Sequence, residues 1–212
     1  QQRELGLPIE PMLAQDPELQ AVVAALVQAD PDLFAPTERF RQAEHSRACW
    51  VHGYGFTAIY DLLRLWDQRG EIIDWKTYRQ PRSPAVLAQD WQTRLYCYLL
   101  VATTNLAPEQ VSMVYWFVRH RDPDTGAWQP QSVRLAYDRH RHDQTHADLK
   151  ALGDRLSQWL AAGSDFPKIP PTAAGLDTCG QCPFAVRCQR DRPQAEGLNA
   201  IPPLDAIPEL AL

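Results

Sequence analysis

Along the 212-residue chain, the spacing of apolar and polar positions changes several times, and each change marks an element. The stretch DPELQAVVAALVQA (16–29) reads as a helix, with Asp16 as its N-cap and Pro17 in the first helical position. From 39 to 66 the pattern predicts three short strands in a meander. DQRG (67–70) is a turn signal and EIIDWKT (71–77) the next strand, so 55–66 and 71–77 form a β-hairpin. A long helix follows over 83–104, with Ser83 as N-cap and Pro84 in its first turn. VSMVYWFVRH (111–120), rich in β-branched and aromatic residues, is a strand. RDPDTG turns the chain, and AWQPQSVRLAYD returns as the partner strand. From about 143 to 162 the leucines at 149, 152 and 156, followed by Trp159 and Leu160, recur at helical spacing, and Gly163 suits a C-cap. Beyond it the chain turns loop-rich and gathers cysteines, and the last segment, AEGLNAIPPLDAIPELAL, has proline breaks and little periodicity.

The apolar run GEIIDWKT carries an oddity. On a strand, alternate side chains share a face, so Asp74 and Lys76 stand together, opposite Ile73 and Trp75. A core strand gains nothing from a buried carboxylate and ammonium unless they pair or bind something; an edge strand with both solvated is the plain alternative. Asp61, on the partner strand of the hairpin, can approach Asp74 across the sheet. Two neighbouring carboxylates repel, and a hard divalent cation relieves that repulsion. Lys76 beside such an ion can stabilise an attacking hydroxide or developing phosphoryl charge. In the following helix Gln92 and Tyr96 are four residues apart and share a face, where an ordinary polar–apolar boundary would look the same.

Composition narrows the reading. Hydrophobic content is 45%, with no long uncharged apolar run, so neither a transmembrane helix nor a signal peptide is expected. A net charge of −5 argues against coating nucleic acid by bulk charge and leaves room for a local basic groove around an acidic metal site. The five cysteines are odd in number, and Cys179, Cys182 and Cys188 are spaced C-x2-C-x5-C. That spacing fits metal or iron–sulfur ligation in a reducing, cytoplasmic setting better than a disulfide framework.

The ordered set of Asp61, DWK (74–76), QTRLY (92–96) and the C-x2-C-x5-C cluster resembles the RecB-like branch of the PD-(D/E)XK nuclease superfamily. It is most similar to the iron–sulfur members, namely the CRISPR-associated RecB-like exonucleases and the nuclease domains of AddB-type helicase–nucleases. The resemblance covers roughly residues 38 to 190. It implies an α/β restriction-endonuclease-like core, a central mixed β-sheet flanked by helices, with a C-terminal cysteine loop. It further implies that Asp61 and Asp74, helped by the backbone carbonyl of Trp75, hold magnesium or manganese. Lys76 would be the catalytic lysine, and Gln92 and Tyr96 would orient DNA and the site. Cys179, Cys182 and Cys188 would be three ligands of a 4Fe-4S cluster. The partners implied are DNA and a helicase or other repair protein, with no membrane. On this reading residues 1–37 are an N-terminal helical segment, 38–165 the nuclease core, 166–192 the cysteine strap and 193–212 an extended tail.

The sequence departs from the family pattern in two places. The glycine of the family's G-x-x-D motif is Ala58 here, and no cysteine or histidine precedes Glu44. Family members carry a fourth cluster cysteine and a metal-binding histidine before the first strand, so the abrupt opening QQRELGLP is read as an N-terminal truncation. Cys49 is a poor substitute, because it falls in a strand region. Glu44 is either a supporting acid or a surface one, and Cys97 reads as a buried apolar thiol. His140, His142 and His146 suit a solvated turn before a helix better than a metal site. Arg79, Arg82, Arg94 and Arg119 are phosphate contacts or solvated surface. Two other functions remain open: a non-catalytic DNA-binding module that keeps the fold and cluster, and a zinc-ribbon interaction protein. The second would leave Asp61, Asp74 and Lys76 unexplained.

Overall fold

A computed structural model describes residues 8–34, 37–77, 82–163 and 166–169, together with Cys179 and Cys182. Helices α1 (Glu10–Leu13) and α2 (Pro17–Ala29) come first, then a 3₁₀ turn, Pro31–Phe34. The sheet follows as β1 (Phe40–Val51), β2 (Tyr54–Trp66) and β3 (Arg69–Lys76). Helices α3 (Pro84–Gln89) and α4 (Trp91–Ala102) cross over to β4 (Val111–Phe117) and β5 (Gln131–Ala136), and α5 (Arg139–Ala162) closes the order. The strands lie β1-β2-β3-β4-β5, with only the β3–β4 pair parallel. This is the expected α/β architecture, a five-stranded mixed sheet flanked by helices. Among the described residues, no helix is long and apolar enough to cross a membrane.

The central strands are covered on both faces, which is why β4 reads as a near-continuous apolar run and β3 is buried from Gly70 to Asp74 in spite of its charges. On one face, Ile72, Met113, Tyr115 and Phe117 pack with Leu87, Cys97, Leu99 and Leu100 of α3 and α4. On the other, Leu62, Ile73, Val114 and Trp116 pack with Leu26 of α2 and Leu33.

The expected three-strand meander over 39–66 is instead two long strands. They turn at His52 (φ 48°) and Gly53 (φ 83°), the left-handed pair that a two-residue hairpin turn requires. What disguised the length is a matched irregularity. Pairing runs from Phe40↔Leu65 to Ala43↔Leu62 and resumes at His45↔Tyr60, leaving Glu44 (φ 52°) and Asp61 facing each other unpaired. On either side of the gap β2 swaps faces. Ala58 and Tyr60 join the α4-side core, then Leu63 and Leu65 do, while Leu62 faces α2. The alternation breaks although the hairpin does not.

The helix expected over 83–104 is also divided. Asp90 is extended (φ −61°, ψ 137°), ending α3 and capping α4 through a hydrogen bond from the Gln92 N–H to its Oδ1 (3.0 Å). Strand β4 ends at Phe117, not 120, and β5 spans 131–136. Helix α5 begins at Arg139, about one turn before the expected 143, because the Asp138 carboxylate accepts the Arg141 N–H (2.8 Å). The histidine-rich stretch is therefore the first two turns of a helix and not a solvated turn.

Two compact units divide the chain, Gln1–Gln158 and Trp159–Leu212. In the second, Trp159 and Phe166 meet edge to face with centroids 6.0 Å apart, Gly163 (φ 61°) ends α5, and the Cys182 N–H donates to the Cys179 carbonyl (3.2 Å).

Candidate active site

At the end of β3 the two-residue spacing places Asp74 and Lys76 on the face covered by α4. Helix α4, restarted at Asp90, delivers Gln92 to them in its first turn. The Gln92 carboxamide joins the pair: its Oε1 accepts from Lys76 Nζ (2.8 Å) and its Nε2 donates to Asp74 Oδ1 (2.6 Å). The circuit closes where Lys76 Nζ lies 2.7 Å from Asp74 Oδ2, at ion-pair distance but without the alignment of a hydrogen bond. Below the ammonium lies the ring of Tyr115 from β4, with its centroid 5.1 Å away. Tyr115 is pinned by Thr93, whose hydroxyl lies 2.8 Å from the phenol and donates to the Leu87 carbonyl (2.6 Å).

Asp61 enters by a different route. The β2–β3 pairing stops at Leu62↔Ile73, one step before Asp61 would face Asp74. The Trp75 N–H, which would otherwise bond the β2 backbone, donates to Asp61 Oδ2 instead (2.8 Å). A side chain thus replaces the sheet ladder, and the strands part where the acidic residues meet.

Asp74 is 3% exposed. Burial is the main force pushing its carboxyl above the usual aspartate range, and the charge of Asp61 adds to it, while Lys76 and Gln92 pull the other way. Its Oδ2 is buried with the Lys76 ammonium 2.7 Å away. A buried carboxylate that feels a second carboxylate across an opened sheet fits a hard divalent cation. Among the described residues no three His, Cys, Asp or Glu converge as ready-made ligands.

The structure thus brings Asp61, Asp74, Lys76 and Gln92 together. Tyr96 sits one turn along α4 with its ring edge-on to Tyr60 (5.2 Å), and its carbonyl accepts the Tyr60 hydroxyl (3.1 Å). Cys97 is buried, its thiol pushed up to about 12 by that burial. Glu44 is exposed. His142 and His146 stack on Tyr98, and His146 Nδ1 lies 2.7 Å from its hydroxyl. Of the arginines, Arg94 pairs with Asp148, Arg119 with Glu18 (3.0 Å) and Arg82 with Asp90 (3.8 Å). Arg79 and Cys188 lie outside the described residues. Sequence reasoning missed Tyr115, Thr93 and Asp90. The QDWQ stretch, an acid two residues before Gln92, was the available signal for the last.

A family model described as the PD-(D/E)XK nuclease superfamily matches residues 3–189. No curated protein matches the sequence. Among solved structures, SSO0001 is similar at 14% identity and a TM-score of 0.39, over 85% of this chain and 71% of that one. A candidate exonuclease from Eubacterium rectale is similar at 9% identity and a TM-score of 0.47, over 74% of this chain and 58% of that one.

Proposed function

Because the chain belongs to the PD-(D/E)XK nuclease superfamily, we propose that it hydrolyses DNA phosphodiester bonds with the help of magnesium or manganese, as an exonuclease of the RecB-like branch acting in repair or processing. The observation that carries this reading is the Gln92 carboxamide, which holds an ammonium and a carboxylate side by side next to Asp61.

The bound ion would supply Lewis acidity toward the phosphate and an activated water. Asp61 and Asp74 would hold it. Lys76, carried on a rigid strand and oriented by Gln92, would offset the charge that grows on the phosphate oxygens. Substrate and ion would draw Asp74 and Lys76 apart from their mutual contact, and Gln92 can keep hold of either. Tyr115 and Thr93 keep the floor beneath Lys76 fixed. Cys179, Cys182 and Cys188 would ligate an iron–sulfur cluster, with a fourth ligand from elsewhere.

The test is degradation of end-labelled DNA with magnesium or manganese, and with EDTA. Wild type should cleave only with metal. Asp74→Ala and Lys76→Ala should each lose roughly 100-fold or more while keeping the native circular dichroism spectrum. Equal cleavage by wild type and Asp74→Ala would assign the activity to a contaminant and leave a non-catalytic DNA-binding module as the reading.

A further inference from the structure

Thr93 belongs to two places at once. Its hydroxyl lies 2.8 Å from that of Tyr115 beneath the active site, and the residue also lines a cavity of about 370 Å³ that the nuclease reading leaves unused. That volume is ordinary for a small-molecule site. The cavity lies where α3 and β5 end and α5 begins, with Gln89, Leu135, Ala136 and His140 lining it beside α4. The lining is graded. Thr93, Cys97, Leu135 and Tyr137 are buried, whereas Arg141 and Gln144 are exposed in the first turns of α5. Tyr137 is 5% exposed, and its hydroxyl has no aligned hydrogen-bond partner among the described residues. The neighbouring Thr145 hydroxyl is already given to the Arg141 carbonyl (2.7 Å). A buried phenol left in that state costs free energy that a polar atom of a ligand would recover. Among the described residues that line the cavity, Asp148 is the one carboxylate, and Arg94 neutralises it while Gln144 Nε2 donates to it (2.8 Å). The Arg141 guanidinium donates to the Ala136 carbonyl (2.9 Å), which keeps it at the rim. Its pair with Asp138 is long (3.5 Å) and exposed, the kind that is worth little. A buried hydroxyl at the floor and a cation at the rim are thus both available to a bound molecule.

We propose that this cavity binds one deoxynucleoside monophosphate, with the base at Tyr137 and the phosphate at Arg141. The identity of the ligand rests on the nuclease reading, and the proposal deepens that reading by giving the protein a second site, for the product of its own reaction. The edge of a nucleobase carries both donors and acceptors. A tyrosine hydroxyl and the carboxamides of Gln89 and Gln144 can act as either, so they can meet one base or another. A guanidinium at the rim suits a phosphate, whose oxygens it can bind in pairs. A wholly apolar ligand would leave Tyr137 and Arg141 unused, and a polyanion would run into Asp148. Exonucleolytic hydrolysis of DNA is the class of reaction that releases molecules combining one base with one phosphate.

The test is isothermal titration calorimetry in EDTA, which keeps metal from the catalytic acids. Deoxynucleoside 5′-monophosphates are titrated, with the matching nucleosides and inorganic phosphate as controls. Wild type should bind one monophosphate per chain, and either control more weakly. Tyr137→Phe should bind the monophosphates roughly 2- to 13-fold more weakly and Arg141→Gln roughly 10- to 150-fold more weakly. The melting temperature of ligand-free Tyr137→Phe should not fall, because the hydroxyl it removes has no aligned partner. Lys76→Ala should bind as wild type does, although it loses cleavage. No binding by wild type, or affinity unchanged in both Tyr137→Phe and Arg141→Gln, would overturn the proposal. Binding lost in Lys76→Ala alone would place the ligand in the catalytic site and overturn it equally. Nucleosides that bind as tightly as their monophosphates would remove the phosphate, and with it the product assignment. A protein that cleaves DNA but binds no monophosphate sinks the cavity alone, and one that binds monophosphates here but never cleaves DNA sinks the nuclease reading alone.

Discussion

Asp74 is the acid at the site whose chemistry burial alters. Its carboxyl is raised above the ordinary value of 3.8 by burial first and by Asp61 next, and Lys76 and Gln92 only partly offset this. A group whose folded pKa is raised contributes stability that is fully present below its unfolded pKa and is lost as pH rises through the folded one. The metal-free protein should therefore lose stability relative to Asp74→Asn as pH rises from the ordinary aspartate value toward neutrality. Magnesium should restore the loss in wild type alone, since ion and proton compete for the same oxygens. Thermal melts of both proteins in EDTA and in magnesium across that range test this. A difference between them that does not change with pH would mean that Asp74 keeps an ordinary pKa. The residue pair itself was legible in the sequence, because strand alternation puts Asp74 and Lys76 on one face whatever the tertiary context. Tyr115 was not. It faces Lys76 only through the β3–β4 register, a non-local pairing with no local signature.

At the scale of elements, two interruptions build the site. The first is the break at Asp90, which turns one expected helix into two and sets Gln92 in the first turn of α4. From that turn the Gln92 carboxamide reaches the Asp74 carboxylate. The second is the Glu44–Asp61 gap, where β2 swaps faces and Asp61 takes over the Trp75 N–H. The period-2 pattern breaks at such a swap, so the sequence reads as a strand end although pairing continues on both sides. Glu44 bears the cost, at φ 52° in the left-handed region. An L-residue there is strained by roughly 1–2 kcal/mol, while glycine gives back about 0.5–1 kcal/mol through its freer unfolded chain. Glu44→Gly should therefore be stabilised by up to about 1 kcal/mol, read as a higher midpoint in urea with an unchanged slope, and should keep full nuclease activity. If activity falls while stability rises, the Glu44 carboxylate has a role at the site beyond its backbone.

For the molecule as a whole, the sequence made the core more legible than the C-terminal segment. The mixed sheet was implied by the family resemblance, and the order of periodic segments agrees with it: the helical crossover between β3 and β4 permits their parallel pairing, and the hairpins supply the antiparallel pairs. The cysteine cluster has no such redundancy. Its meaning depends on chemistry that backbone geometry does not encode, and C-x2-C suits zinc and iron–sulfur centres alike. Cys179 and Cys182 do share a local turn, with the Cys182 N–H on the Cys179 carbonyl, an arrangement either metal could use. The two metals differ in observables. An iron–sulfur protein purified without oxygen should be brown, with acid-labile sulfide matching its iron, and should bleach in air. Cys182→Ser should lose the colour and melt earlier, because a metal that ties distant ligands contributes folding free energy outright. Its cleavage per folded molecule should change little, since the proposed chemistry belongs to Asp61, Asp74 and Lys76. A colourless protein with one tightly held zinc would overturn the iron assignment and leave the nuclease reading standing. Metal-free protein with an unchanged melting temperature in Cys182→Ser would remove the cluster from the molecule altogether.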